Sequence, residues 1–185
     1  MKKDFNIVIV GTGGQGLITL LQIISEAALA SGFDVKTSEL HGLSQRGGSV
    51  EVHIRFGKKV YSPMVSQSKA DLIIALEMQE SLKATYFAGS QTKFLINKFF
   101  IPIPLQKSLS EQQILSMLKK ITKNITVVEA EGVTSGVYLL SLASFKELIP
   151  LSPSLIFKAI KKVIPKQYLE LNKQTFELAK KHAKS

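Results

Sequence analysis

The sequence predicts an α/β fold: a three-layer α/β/α domain with a mixed sheet, one inserted β-hairpin and a helical C-terminus. Three observations carry this expectation. Short, β-branched apolar runs alternate with stretches of helical length and helical periodicity. A glycine-rich turn joins the first apolar run to the first helical stretch. Residues 50–56 alternate strictly, with Val50, Val52, Ile54 and Phe56 set against Glu51, His53 and Arg55, which is the pattern of a half-exposed strand.

The elements follow in order. Residues 5–10 are short, β-branched and bounded by Gly11, so they read as a buried strand. Residues 17–31 carry Leu17, Leu20, Leu21, Ile24 and Ala28 on one helical face, with Gly32 just beyond as the stop signal. Residues 35–39 form a second strand. After residues 50–56, Gly57-Lys58-Lys59 reads as a turn and Val60-Tyr61 as a return strand, the expected hairpin. Residues 71–76 make another buried strand, with a helix over 78–84. Residues 93–97 are a further strand, 109–122 an amphipathic helix and 125–129 a strand. The remainder is helical: 134–148, then 152–164 with Ser152 as cap and Pro153 in the first position, then 166–181. Ile101-Pro102-Ile103-Pro104 marks an extended loop. No repeat, low-complexity linker or composition break divides the chain, so residues 1–185 read as one domain.

Composition narrows the function classes. Hydrophobic residues make up 45% of the chain and charged residues 21%, an ordinary globular balance. The net charge is +10, and it is a lysine excess, since Arg46 and Arg55 are the only arginines. Nucleic-acid readers lean on arginine forks, so nucleic acid is not the expected partner. There is no cysteine, which excludes from this chain a disulfide, a thiolate nucleophile and a Cys-ligated iron–sulfur cluster. The histidines His41, His53 and His182 fall in no metal-binding spacing, and no metal ligand set is expected. No signal-peptide pattern and no membrane-length apolar run is present. The expected location is cytoplasmic, away from membranes.

Two motifs carry the chemistry. Gly11-Thr12-Gly13-Gly14-Gln15-Gly16 fits G-x-G-x-x-G between a strand and a helix, giving the fold a Rossmann-like start. Without side chains the backbone turns sharply, and N–H groups at the helix start can face a phosphate. The alternative is that the glycines only permit a tight turn and close helix–sheet packing. Glu39 ends the second strand, near where a dinucleotide-binding fold places its ribose acid. Gly14, Gln15 and the Glu39-Leu40-His41 continuation are not what such a fold requires. The second motif is residues 39–49, ELHGLSQRGGS. Arg46 can fork to a carboxylate or phosphate, Gln45 can donate and accept, and Gly47-Gly48 lets a neighbour approach the backbone. Both motifs should meet at the carboxyl edge of the sheet if the strands before them run parallel. The alternative here is a structural loop closed by Glu39–Arg46 pairing. Candidate binding residues are therefore Gly11, Gly13, Gly14, Gln15, Gly16, Glu39, Gln45, Arg46 and Gly47. No catalytic residue is assigned, because His41 has no nucleophile or carboxylate partner in its spacing. His53 reads as a solvated-face residue, Glu77 as a charge at a helix N-terminus, and the lysines at 158, 161, 162, 166, 173, 180 and 181 as solvated faces.

GTGGQG after the first strand, then SELHGLSQRGGSVEVHIRFGKKVYSP, then ADLIIALE, resembles the gamma-type subunits of the ferredoxin-dependent 2-oxoacid oxidoreductases. The HGLSQRGGSV wording most resembles their indolepyruvate branch. The likeness is dense over residues 5–80 and looser beyond, where Glu170, Asn172 and Phe176 resemble a terminal E-x-N…F pattern. The chain departs from the family at Ser135 and Leu140, where asparagine and glycine are usual. The resemblance implies a division of labour. A larger alpha subunit would carry thiamine diphosphate, Mg²⁺ and the iron–sulfur clusters. This chain would bind none of these alone and would complete the active complex. The implied reaction is oxidative decarboxylation of an arylpyruvate with coenzyme A, giving an acyl-CoA and reduced ferredoxin. Two rival readings stand beside it: a stand-alone NAD(P)- or flavin-binding protein, which leaves residues 45–48 idle, and an assembly protein with an empty glycine loop.

Overall fold

A computed structural model describes residues 4–42, 48–101, 109–132 and 134–184. The apolar runs assemble into a six-stranded mixed sheet of order β2-β3-β1-β4-β5-β6. The strands are β1 (Phe5–Thr12), β2 (Asp34–His41), β3 (Ser49–Gly57), β4 (Leu72–Ala75), β5 (Lys93–Asn97) and β6 (Ile125–Val128). β1, β4, β5 and β6 pair in parallel, while β3 runs antiparallel to both β1 and β2.

Period-two alternation divides β1 between two cores. Ile7 and Ile9 face one layer, with Leu20, Ile24, Leu140 and Ile160, and Val8 and Val10 face the other, with Phe94, Ile96 and Ile114. All four β1 side chains are essentially inaccessible, each stabilising the fold by about 1.5–3 kcal/mol. The first layer holds α1 (Leu17–Ala30), α4 (Ser135–Phe145), α5 (Pro153–Val163) and α6 (Lys166–Lys184). The second holds α2 (Glu80–Lys83), a 3₁₀ turn (Ala84–Phe87) and α3 (Glu111–Lys119). No helix among the described residues is long and apolar enough to cross a membrane.

The helix boundaries answer to local chemistry. α1 stops at a Schellman motif: Gly32 has φ +78°, its N–H bonds to the Leu29 carbonyl, and the Phe33 N–H bonds to that of Ala28. Ser152 caps α5 through the Leu155 N–H, with Pro153 in the first turn. Ser110 and Gln113 form a reciprocal capping box on α3. The expected helix over 78–84 is shorter, one α turn running into a 3₁₀ turn.

Two expectations are corrected. The hairpin does not join residues 50–56 to Val60-Tyr61. It joins β2 to β3, with Asp34 opposite Gly57 and His41 opposite Val50. Residues after Gly57 leave the sheet, and side chains hold them: Asp34 accepts the Val60 N–H at 2.8 Å, and Arg55 donates to the Ser62 carbonyl at 2.8 Å. His53 is not on a solvated face but fully buried, beneath this segment and edge-on to Phe87. Its Nδ1 accepts the Val65 N–H at 3.1 Å, so the proton sits on Nε2, which donates to Glu51 at 2.8 Å.

Candidate functional site

The two motifs meet at the carboxyl edge of the sheet. β1 and β2 run in the same direction with β3 reversed between them, so both following loops leave the same edge. They are in direct contact: the Gly13 N–H donates to the Gly48 carbonyl at 2.9 Å. Gly42 closes the foot of the second loop through its N–H on the Ser49 carbonyl at 3.1 Å. Ser49 Oγ donates to Glu80 at 2.5 Å, and Glu80 also accepts from Lys83 at 2.6 Å. The second loop is thus tied to both the glycine turn and α2. Gln45, Arg46 and Gly47 lie outside the described residues.

Within the glycine turn the donors are divided. Gln15 folds back, and its Oε1 accepts the Thr12 N–H at 2.8 Å. This needs Gly11, where a Cβ would stand 2.6 Å from that oxygen. Gly14 and Gly16 have φ +95° and +79°, values that favour glycine. Gly16 leads directly into α1, with no side chain capping the helix and no acid in its first turn. With the Gly13 N–H committed to Gly48, the donors left toward solvent are those of Gly14, Gly16 and the opening turn of α1.

α4 begins in the same way, without a side-chain cap and without an acid in its first turn. The openings of α1 and α4 border one groove of about 470 Å³, completed by Ile164 and Pro165 after α5 and by Tyr168, Leu171 and Asn172 of α6. Its lining is mixed, with Leu20, Val137, Val163 and Leu171 beside Gln15, Thr19, Thr134 and Asn172, and the starts of both helices carry partial positive charge. Such a groove suits an extended ligand with an apolar body and an anionic end.

Glu39 is exposed on β2 and lies 3.5 Å from His41. β3 stands between β2 and β1, so Glu39 is two strand spacings from the glycine turn, about 10 Å. A dinucleotide fold places its ribose acid on the adjacent strand, so this geometry weakens the NAD reading of Glu39.

Two further polar residues end strands at the same edge. Glu77 is 2% exposed and accepts the Glu80 N–H at 2.8 Å and the Ile101 N–H at 3.1 Å. Burial pushes its carboxyl above the ordinary value, against these backbone bonds. It caps the α2 turn, as its place in the sequence suggests. Asn97 is also 2% exposed, and both ends of its amide grip the Ala130 backbone, at 3.0 and 2.9 Å. It went unrecognised in the sequence. The signal was there, a lone amide closing the apolar run Phe94-Leu95-Ile96 at a strand's carboxyl end.

Residues 6–182 match the family model for pyruvate ferredoxin/flavodoxin oxidoreductase. The chain is 34% identical to the indolepyruvate oxidoreductase subunit IorB of Thermococcus kodakarensis, over 98% of this chain and 97% of the relative. In fold it is similar to the gamma subunit of a keto/oxoacid ferredoxin oxidoreductase from Geobacter sulfurreducens, with TM-score 0.69, 19% identity, and 98% and 97% of the two chains covered. It also resembles part of a 2-oxoglutarate:ferredoxin oxidoreductase from Magnetococcus marinus, solved with 2-oxoglutarate, coenzyme A and succinyl-CoA bound. There the TM-score is 0.72 at 18% identity, and the match spans all of this chain but 32% of that one.

Proposed function

The chain belongs to the pyruvate ferredoxin/flavodoxin oxidoreductase family, and from that premise we propose that it is the small subunit of a 2-oxoacid–ferredoxin oxidoreductase of the indolepyruvate type. In this reading a larger subunit holds thiamine diphosphate, Mg²⁺ and the iron–sulfur clusters, and ferredoxin takes the electrons. The substrate is an arylpyruvate, decarboxylated oxidatively to its acyl-CoA. The absence of cysteine from the sequence fits a chain that leaves cluster chemistry to its partner.

The carrying observation is the Gly13–Gly48 junction, which sets the glycine turn against Gly48, just before β3, at one edge. The role this supports is to receive an anionic group there, the phosphates of coenzyme A foremost. Gly14 and Gly16 present backbone donors, Gly11 makes room for Gln15, and Gly13 holds the second loop in register. Contact with the partner subunit or the ligand falls to Gln45, Arg46 and Gly47, Arg46 through its forked guanidinium, and contact with the partner subunit to Glu39.

Gly14→Ala tests this assignment. The added methyl would meet no atom of this chain within 4 Å, so its cost in the free chain is left-handed backbone strain, about 1–2 kcal/mol. In the reconstituted complex it stands where the ligand approaches. The KM for coenzyme A should rise about tenfold, the equivalent of about 1.4 kcal/mol of lost contact, with kcat within about twofold. An unchanged KM in a folded complex would remove the glycine turn from the site.

A further inference from the structure

The Leu76 carbonyl lies just past the end of β4, in the buried interior, and accepts from no strand N–H among the described residues. Two side-chain amides converge on it. Gln15 Nε2 donates from the glycine turn at 3.4 Å, and Asn97 Nδ2 from the end of β5 at 3.5 Å. Each amide holds a loop with its remaining atoms. Gln15 Oε1 takes the Thr12 N–H at 2.8 Å. Asn97 binds both the N–H and the carbonyl of Ala130, four residues before the Thr134 that opens α4. The Leu76 N–H is itself fixed to the Val10 carbonyl at 2.9 Å.

We infer that Asn97 is a positioning residue: through the shared Leu76 carbonyl it couples the loop before α4 to the glycine turn and so sets the two walls of the groove against each other. A buried carbonyl left without a donor is costly, so losing either amide shifts the full demand onto the other. Both contacts are long, and neither amide alone satisfies Leu76 well. Movement on one side must therefore be felt on the other. That the groove thus set serves coenzyme A rests on the functional reading above; the coupling itself does not.

Amide hydrogen exchange on the isolated chain tests the coupling without any assay of activity. Asn97→Ser should speed exchange in residues 129–134 and also in residues 12–17, roughly threefold to tenfold in each, with the amides of residues 5–11 and of β4 unchanged. Gln15→Met, which keeps length and removes the amide, should speed exchange in residues 129–134 in return. Acceleration confined to the mutated side in both variants would overturn the inference, as would a uniform rise across the sheet. In the complex, Asn97→Ser should raise the KM for coenzyme A severalfold with kcat little changed. If exchange shows the coupling and this KM does not move, the inference stands and the assignment of the groove to coenzyme A falls.

Discussion

Glu77 shows how one side chain at the sheet edge makes stability depend on pH. Its carboxyl is buried between the turn that opens α2 and residue 101, and desolvation raises its pKa above 4.5. The folded chain therefore holds this proton more tightly than the unfolded chain does. Its contribution is greatest below the unfolded value and is lost as pH rises through the folded one. Glu77→Gln removes the titration and weakens one backbone bond. The variant should be less stable than wild type at low pH, and the gap in thermal midpoint should narrow as pH rises above 4.5. A gap that widens over that range would contradict the account. The role of Glu77 was legible because a single acid ends an apolar run before a helix. That of His53 was not. Alternation puts it on the face of Glu51 and Arg55, which would be solvated if nothing covered it. Val65 and Phe87 cover it, and that contact is set by tertiary packing rather than by the local pattern.

At the scale of elements, the strands and helices were legible wherever punctuation and periodicity agreed. β5 and α5 begin and end at the residues that the apolar run and the Ser152-Pro153 pair indicate. The hairpin was misassigned because Gly57-Lys58-Lys59 has good turn chemistry, while the true connection, residues 42–48, is longer than the usual hairpin loop. Its pairing is fixed by eight facing residues on each strand. Comparing two helix ends yields a prediction. α4 closes with the same Schellman bonds as α1, Leu148 N–H to the Ala143 carbonyl and Glu147 N–H to that of Ser144. Where α1 uses Gly32, α4 has Glu147 at φ 54°. A left-handed non-glycine residue costs about 1–2 kcal/mol, partly offset by the greater entropy a glycine loses, about 0.5–1 kcal/mol. Glu147→Gly should therefore stabilise the chain by roughly 0.5–1 kcal/mol, about 1–4 °C in midpoint at this size. A fall in the midpoint would show that Glu147 makes contacts outweighing its strain.

For the whole molecule, the sheet order explains why a glycine motif that looks dinucleotide-like belongs to a different arrangement. Inserting antiparallel β3 beside β1 carries Glu39 out of reach of the turn and brings Gly48 into contact with Gly13 instead. The lysine excess is partly neutralised within the fold, Lys162 pairing with Glu26 at 2.6 Å across α5 and α1. On α6, Lys173 and Lys180 likewise pair with Glu170 and Glu177 on the same helix, at 3.1 and 3.6 Å. The role proposed above requires a larger thiamine-binding partner. The direct measurement is arylpyruvate- and coenzyme A-dependent reduction of ferredoxin by the chain alone, by the larger thiamine-binding subunit alone, and by the two combined. The expected result is a silent chain alone, and enzyme-like turnover, on the order of one per second or faster, only in the combination. Turnover by the isolated chain at such a rate, or stoichiometric NAD(H) co-purifying with it, would contradict the subunit role.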